Sequence, residues 1–462
     1  MALRLTMTVA VAGGALVACA GSGSAAPVHS SPSSQTSSTV AAAGPDRSAR
    51  PSLVPWPTYH RTDSRAGTAA NVGTSLRHGW TRTLDQAVYG EPIVAGKMLI
   101  AATENDTVYG LSPTSGKVLW RTHLGHPQPL SGLPCGDIDP LGITGTPAYD
   151  AATGSVFVVA ETTGGHHTLW ALRATNGQRR WHRTLDVEKK RSRKAEQERS
   201  ALLVTHGRVL TSFGGLAGDC SNYVGYVTSV PTSGKGRTRS YAVPTAREAG
   251  MWSPAGPVVG QDGNVYVASG NGAELNGTWD KSDSVTELNP TSMKRLAVFA
   301  PSSWRQDNRD DLDLGSSSPV PVNGRIVIAG KRGTAYLLHP SLGGVGSAIK
   351  SVGGCQAYGG AAHKGAVAVM PCMGGIRALV VGKHSLHFRW SASGIYGSPV
   401  IGGDHVYVAD RDSGDLVVLS LKTGRQQARI HVGSFTHFPS EVVDDGRIYV
   451  PTLSGVTALR AS

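Results

Sequence analysis

Charged and aromatic side chains are both scarce in this 462-residue chain, at 16% and 6%. Low charge beside 40% hydrophobic residues excludes disorder over the whole length. Apart from Leu5–Ala18, no apolar run approaches the roughly 18 residues that a membrane-spanning helix needs. HExxH and GxxxxGK(S/T) are absent, so neither a zinc-protease helix nor a phosphate-binding loop is signalled. The five cysteines show no CxxC or Cys/His zinc spacing. What the chain does have is glycine: 59 residues, roughly one in eight, which excludes a mostly helical protein.

Lys plus Arg number 44 against 32 Asp plus Glu, a formal net charge of +12. Much of this sits in Glu188–Arg199 (EKKRSRKAEQER), where cations and anions alternate. That run reads as a solvated loop or short helix, with a docking patch for anionic lipid or polymer as the alternative. No RNA- or DNA-reading motif accompanies it, so nucleic acid is not an expected partner.

Arg4 precedes 14 apolar residues, Leu5–Ala18, too short to span a bilayer and right for the core of a signal peptide. The stretch ends Leu16-Val17-Ala18-Cys19, which resembles the bacterial lipoprotein cleavage box, where the cysteine becomes the lipidated first residue. The resemblance implies a signal peptide over 1–18, a lipid anchor on Cys19 and an extracytoplasmic place at the cell envelope. Cleavage near Ala25-Ala26 is the alternative. Residues 19–54 are dominated by Ser, Ala, Gly, Pro and Thr and read as a disordered tether, leaving 55–462 to fold.

With Cys19 lipidated, Cys135, Cys220, Cys355 and Cys372 remain, an even number for an oxidising compartment. Cys355 and Cys372 flank apolar runs joined by His363-Lys364-Gly365, and a hairpin there sets the two opposite each other. Cys135 and Cys220 then pair by elimination.

Eight runs of β character recur: Lys97–Ala102, Ser155–Ala160, Arg208–Phe213, Asn264–Ser269, Arg325–Gly330, Ala366–Pro371, His405–Asp410 and Arg447–Thr452. Their starts lie 58, 53, 56, 61, 41, 39 and 42 residues apart. VYGLSPTSGKVLW (108–120) matches LWALRATNGQRRW (169–181) in character at each position, with weaker copies at 285, 335 and 416. Each unit reads as four short strands, the repeat of a propeller blade. The last unit runs out after three strands, and the segment 78–84 stands as an orphan outer strand. The expectation is an all-β, eight-bladed propeller of four-stranded antiparallel blades, closed by pairing 78–84 with 456–460. The chain before Trp80 is expected to be dispensable for the ring.

The repeat resembles the propellers named for pyrroloquinoline quinone, through Gly110-Leu111, Ser115-Gly116-Lys117 and Trp120, then Ala171-Leu172, Asn176-Gly177 and Trp181. Met293 replaces the turn glycine in the fourth unit. In quinoprotein alcohol dehydrogenases of this superfamily the axis holds the quinone and a calcium ion. The resemblance implies Asp219 and Asn271 as metal ligands, Asp311 or Asp313 as further ligand or catalytic base, and Lys331 as the quinone contact. The same residue types are favoured in the turns joining propeller strands. The adjacent Cys-Cys pair that covers the quinone in many such enzymes is missing.

A second relative is the propeller lipoprotein of the outer-membrane β-barrel assembly machinery, which shares lipobox, tether and eight blades and binds proteins without a cofactor. The reading taken is a lipid-anchored binding or scaffolding module for a protein or cell-envelope polymer, with a quinone- and calcium-dependent alcohol dehydrogenase as the alternative. Trp80, Trp120, Trp181 and Trp390 read as blade packing. His166-His167 reads as a loop tip. Binding is expected in the long loops 128–144, 270–284 and 301–317.

Overall fold

The computed structural model describes residues 55–462. The expected signal peptide, lipidated Cys19 and tether all lie outside the described residues. Strands form eight sheets, and the only α-helix among the described residues is Trp304–Arg309.

Blades 1 to 7 span residues 93–123, 148–184, 203–242, 258–300, 320–353, 362–393 and 400–431, each with its four strands antiparallel in chain order. Blade 8 joins Val442–Asp444, Arg447–Thr452 and Gly455–Ala461 to the N-terminal strand Leu76–Thr83. In that closure His78 faces Leu459, Trp80 faces Ala458 and Arg82 faces Val456. The ring is closed as the orphan strand led one to expect.

The eight runs read from the sequence are the second strands of the blades. These and the third strands lie between neighbouring blades on both faces, so they are buried along almost their whole length. Val156–Ala160 is wholly buried and Thr107–Leu111 likewise. Outermost strands cover only one face and alternate, as in Val118–His123 and Gln426–His431.

Blades lock through tryptophan. Each outer-strand indole lies on the turn glycine of the next blade: Trp80 on Gly116, Trp120 on Gly177, Trp181 on Gly234, Trp390 on Gly424. A Cβ on these glycines would sit 2.4, 2.4, 2.6 and 2.5 Å from the ring, and their φ values are +64°, +70°, +72° and +71°. The space and the left-handed backbone both require glycine. Three indole N–H groups also donate across the joint, to the carbonyls of Pro113, Ala174 and Leu421. Where Met293 replaces the glycine (φ +59°), its own side chain fills the gap, packed in a cluster with Tyr241 of the preceding blade.

Both disulfides form as paired in the sequence, Cys135–Cys220 and Cys355–Cys372.

Three expectations are corrected. The chain before Trp80 is not a free leader to the ring: residues 56–69 run across the axis and bond to the innermost edges of most blades. Trp56 bridges to Val94, Pro57 accepts from Tyr149 N–H, and Thr58 donates to the Leu202 carbonyl. Asp63 accepts from Val259 and Ala66 from His363, while Thr68–Ala69 pairs in parallel with Ile401–Gly402. The innermost strands are only two or three residues long and leave backbone groups unpaired at the axis, which this plug satisfies.

The charged run is solvated only in its first half. Glu196 and Gln197 form a short strand, and Glu196, Gln197 and Glu198 are buried. His166-His167 is no loop tip either. It begins the strand His166–Arg173, and His167 is fully buried between Glu161 at 3.1 Å and Asp186 at 3.3 Å.

Candidate functional site

Loops from six of the junctions around the ring converge on a cavity of about 480 Å3 at one end of the axis. Asp219, Asp311, Asp313 and Lys331 all line it, so four of the five candidates reach one place. Trp252, Tyr358, Phe438, Arg199, Asp137 and His437 complete the wall.

Glycine makes the approach of two loops possible. A Cβ on Gly270 would lie 1.9 Å from Asp313 Oδ1, and one on Gly330 would lie 2.4 Å from the Asp313 carbonyl. Asp313 therefore sits pressed against both turns. Its Oδ1 accepts from Asn271 N–H at 2.8 Å, and its Oδ2 lies 2.7 Å from Lys331 Nζ. Lys331 also donates to Asp311 Oδ1 at 2.9 Å. The ammonium is thus clasped by two carboxylates, which hold it charged well above the ordinary lysine range against the cost of burial. Burial pushes the Asp313 carboxyl up, partly offset by Lys331.

Asn271 does not line the cavity. It is buried and reaches the site through its backbone, donating to Asp313 while its carbonyl accepts from Ala249 N–H. Asp219 has φ +48°, and its Oδ1 accepts the hydroxyl of Tyr223.

This set does not fit the calcium ion that the resemblance to the quinoprotein dehydrogenases implies. Calcium takes six to eight oxygens, several from carboxylates. Both oxygens of Asp313 and one of Asp219 are already engaged by donors of the chain. Among the described residues, no three His, Cys, Asp or Glu side chains converge to hold a metal ion.

Sequence reasoning missed the aromatic side of the cavity. Phe438 (φ +57°) stands between Trp252, at 6.1 Å between ring centroids, and Tyr358, at 6.3 Å and nearly parallel. Arg199 stacks on the Phe438 ring at 4.9 Å, and Lys331 Nζ lies 6.0 Å from the Trp252 ring. His437 reaches across to Asp137 at 3.2 Å, tying two long loops over the mouth. Arg199 had a visible signal, the charged run, but the alternation pointed it to solvent.

Residues 74–275 match the family model described as outer membrane protein assembly factor BamB. No curated protein matches the sequence. Among solved structures, the quinohemoprotein alcohol dehydrogenase ADHIIG of Pseudomonas putida HK5 shares 15% identity over 88% of this chain and 80% of its own, with a TM-score of 0.69. BamB of Moraxella catarrhalis shares 16% over 84% of this chain and 100% of its own, at 0.60. A europium-containing methanol dehydrogenase shares 13% over 90% and 99%, also at 0.69. The chain is an eight-bladed β-propeller, similar in fold to both the dehydrogenases and BamB.

Proposed function

We propose that the protein is an extracytoplasmic binding or scaffolding module, held to the cell envelope by a lipid on Cys19, whose partner is a protein or an envelope polymer. The observation that carries this reading is the clasp of Lys331 between Asp311 and Asp313. It engages within the chain the Asp313 carboxylate and one oxygen of Asp311, groups that a quinone enzyme would offer to its metal. The similarity to BamB supports a protein partner, and the two disulfides suit an oxidising compartment.

The dehydrogenase alternative keeps one favouring observation: Asp219, Asp311, Asp313 and Lys331 share a single axial cavity beside Trp252. Pyrroloquinoline quinone and calcium added to the purified protein decide between the two. The expected result is no quinone binding by calorimetry and no dye-linked alcohol oxidation. Tight quinone binding that disappears in Asp219→Ala would reverse the reading. For the anchor, Cys19→Ala is expected to move the protein from the membrane to the soluble fraction, and unchanged membrane retention would refute it.

A further inference from the structure

Phe438 divides the mouth of the axis into two adjoining chambers. On one side lies the axial cavity. On the other lies a second one of about 310 Å3, walled by Tyr358, Pro371, Met373 and Tyr396. Tyr358 and Phe438 belong to both walls, so the two form one groove with an aromatic ridge across it.

The halves differ in chemistry. The second chamber is apolar, and its one cation, Arg411, is paired with the neighbouring Asp412 at 2.7 Å. Met373 stands 55% exposed at its rim, on the hairpin turn after Val367–Cys372. The axial chamber carries four carboxylates, Asp137, Asp219, Asp311 and Asp313, against two cations, Arg199 and Lys331. Even a protonated His437 leaves that chamber net negative. This is the reverse of the chain as a whole, whose formal charge is +12.

We propose that this groove binds an extended peptide segment of a protein partner, with an apolar side chain in the Met373 chamber and a Lys or Arg in the axial chamber. The proposal rests on the binding-module reading and gives its partner a chemistry. The exposed Asp311 carboxylate is the contact for the incoming cation, since its side chain is 60% open to solvent. Tyr358 to Phe438 to Trp252 is two ring-to-ring steps of 6.3 and 6.1 Å. Up to about four residues of extended chain, at roughly 3.3 Å each, cover that span.

The test is panning of a random peptide library against the purified full-length protein, followed by affinities of synthetic peptides. Enriched sequences are expected to place Leu, Met, Phe or Tyr two to four residues from Lys or Arg. Met373→Glu and Asp311→Lys both alter exposed positions. Each is expected to weaken binding about tenfold or more, a loss of the size that one well-placed contact supplies. A peptide with its basic residue changed to Glu should regain affinity for Asp311→Lys only. Peptides that bind yet ignore both variants would overturn the groove and leave the binding-module reading in place. Absence of any enriched peptide would overturn the groove as well and leave the polymer partner of the binding-module reading.

Discussion

Lys331 Nζ lies 2.7 Å from Asp313 Oδ2, and the aspartate side chain is 5% exposed. Breaking a buried pair leaves one charge without its partner, which costs more than the pair itself contributes. Lys331→Met should therefore destabilise the fold by about 3 kcal/mol. Adding Asp313→Asn, which keeps an acceptor for Asn271 N–H, should restore at least half of that. Denaturant unfolding of both singles and the double gives the coupling, and strictly additive losses would contradict the clasp.

The joint between Trp120 and Gly177 makes a second prediction. Gly177→Ala combines a φ of +70° with a Cβ 2.4 Å from the indole. Gly207→Ala has a similar φ of +67° but open space around the Cβ. The strained backbone alone costs about 1 kcal/mol, and crowding the ring about 2 more. Gly177→Ala should thus be the more damaging by about 2 kcal/mol in urea unfolding. Equal losses would mean that the joint does not carry load between blades.

These joints show why the ring could be read from the sequence. Each Trp and turn Gly belongs to a local repeat, and strands such as Ser155–Thr162 announce themselves by continuous β-branched and aromatic residues. The four acidic and basic candidates that line the cavity were singled out by the resemblance to the quinoprotein dehydrogenases and not by the repeat itself. Residues 56–69 carry no period. Their place depends on bonds to Val94, Tyr149, Val259 and His363, between 38 and 297 residues away in the chain. Trp252 and Phe438 are isolated aromatics in irregular loops, and only the closed ring brings them together.

The plug yields the third prediction. Trp56, Tyr59, His60 and Arg65 are all nearly or fully buried at the axis. Glu91 accepts from the Trp56 indole at 2.6 Å and from His60 N–H at 2.9 Å. Deletion of residues 56–69 leaves Leu76–Thr83 free to close blade 8, yet it should lower Tm by about 5 °C or more through unpaired backbone at the axis. Calorimetry of the truncated chain checks this. A Tm unchanged from the full chain would mean that the segment is dispensable for the ring.

The last prediction concerns pH, because the axis and the junction of blades 1 and 2 bury acids. Burial pushes Glu91, Glu104 and Glu441 up to about 8 and Asp106 up to about 9. The unfolded chain releases these protons near the ordinary carboxylate values, whereas the folded chain keeps them. Stability is therefore full below about pH 4.5 and falls as pH rises toward 8. His167 adds to the same slope. Burial works against its charge, but Glu161 and Asp186 outweigh it and hold the ring proton up to about 10. Its contribution is complete below about pH 6.5 and is lost as pH rises. His60 acts the other way, since burial depresses it to about 3 and stability falls as pH drops below about 6.5. Between pH 6.5 and 8 the raised groups all pull in one direction. Tm at pH 6.5 should exceed that at pH 8 by about 3 °C or more. Glu104→Gln keeps acceptors for Gly142 N–H and Thr144 and should narrow that difference. Scanning calorimetry at the two pH values decides it, and a higher Tm at pH 8 would mean that these acids fold in their ionised form.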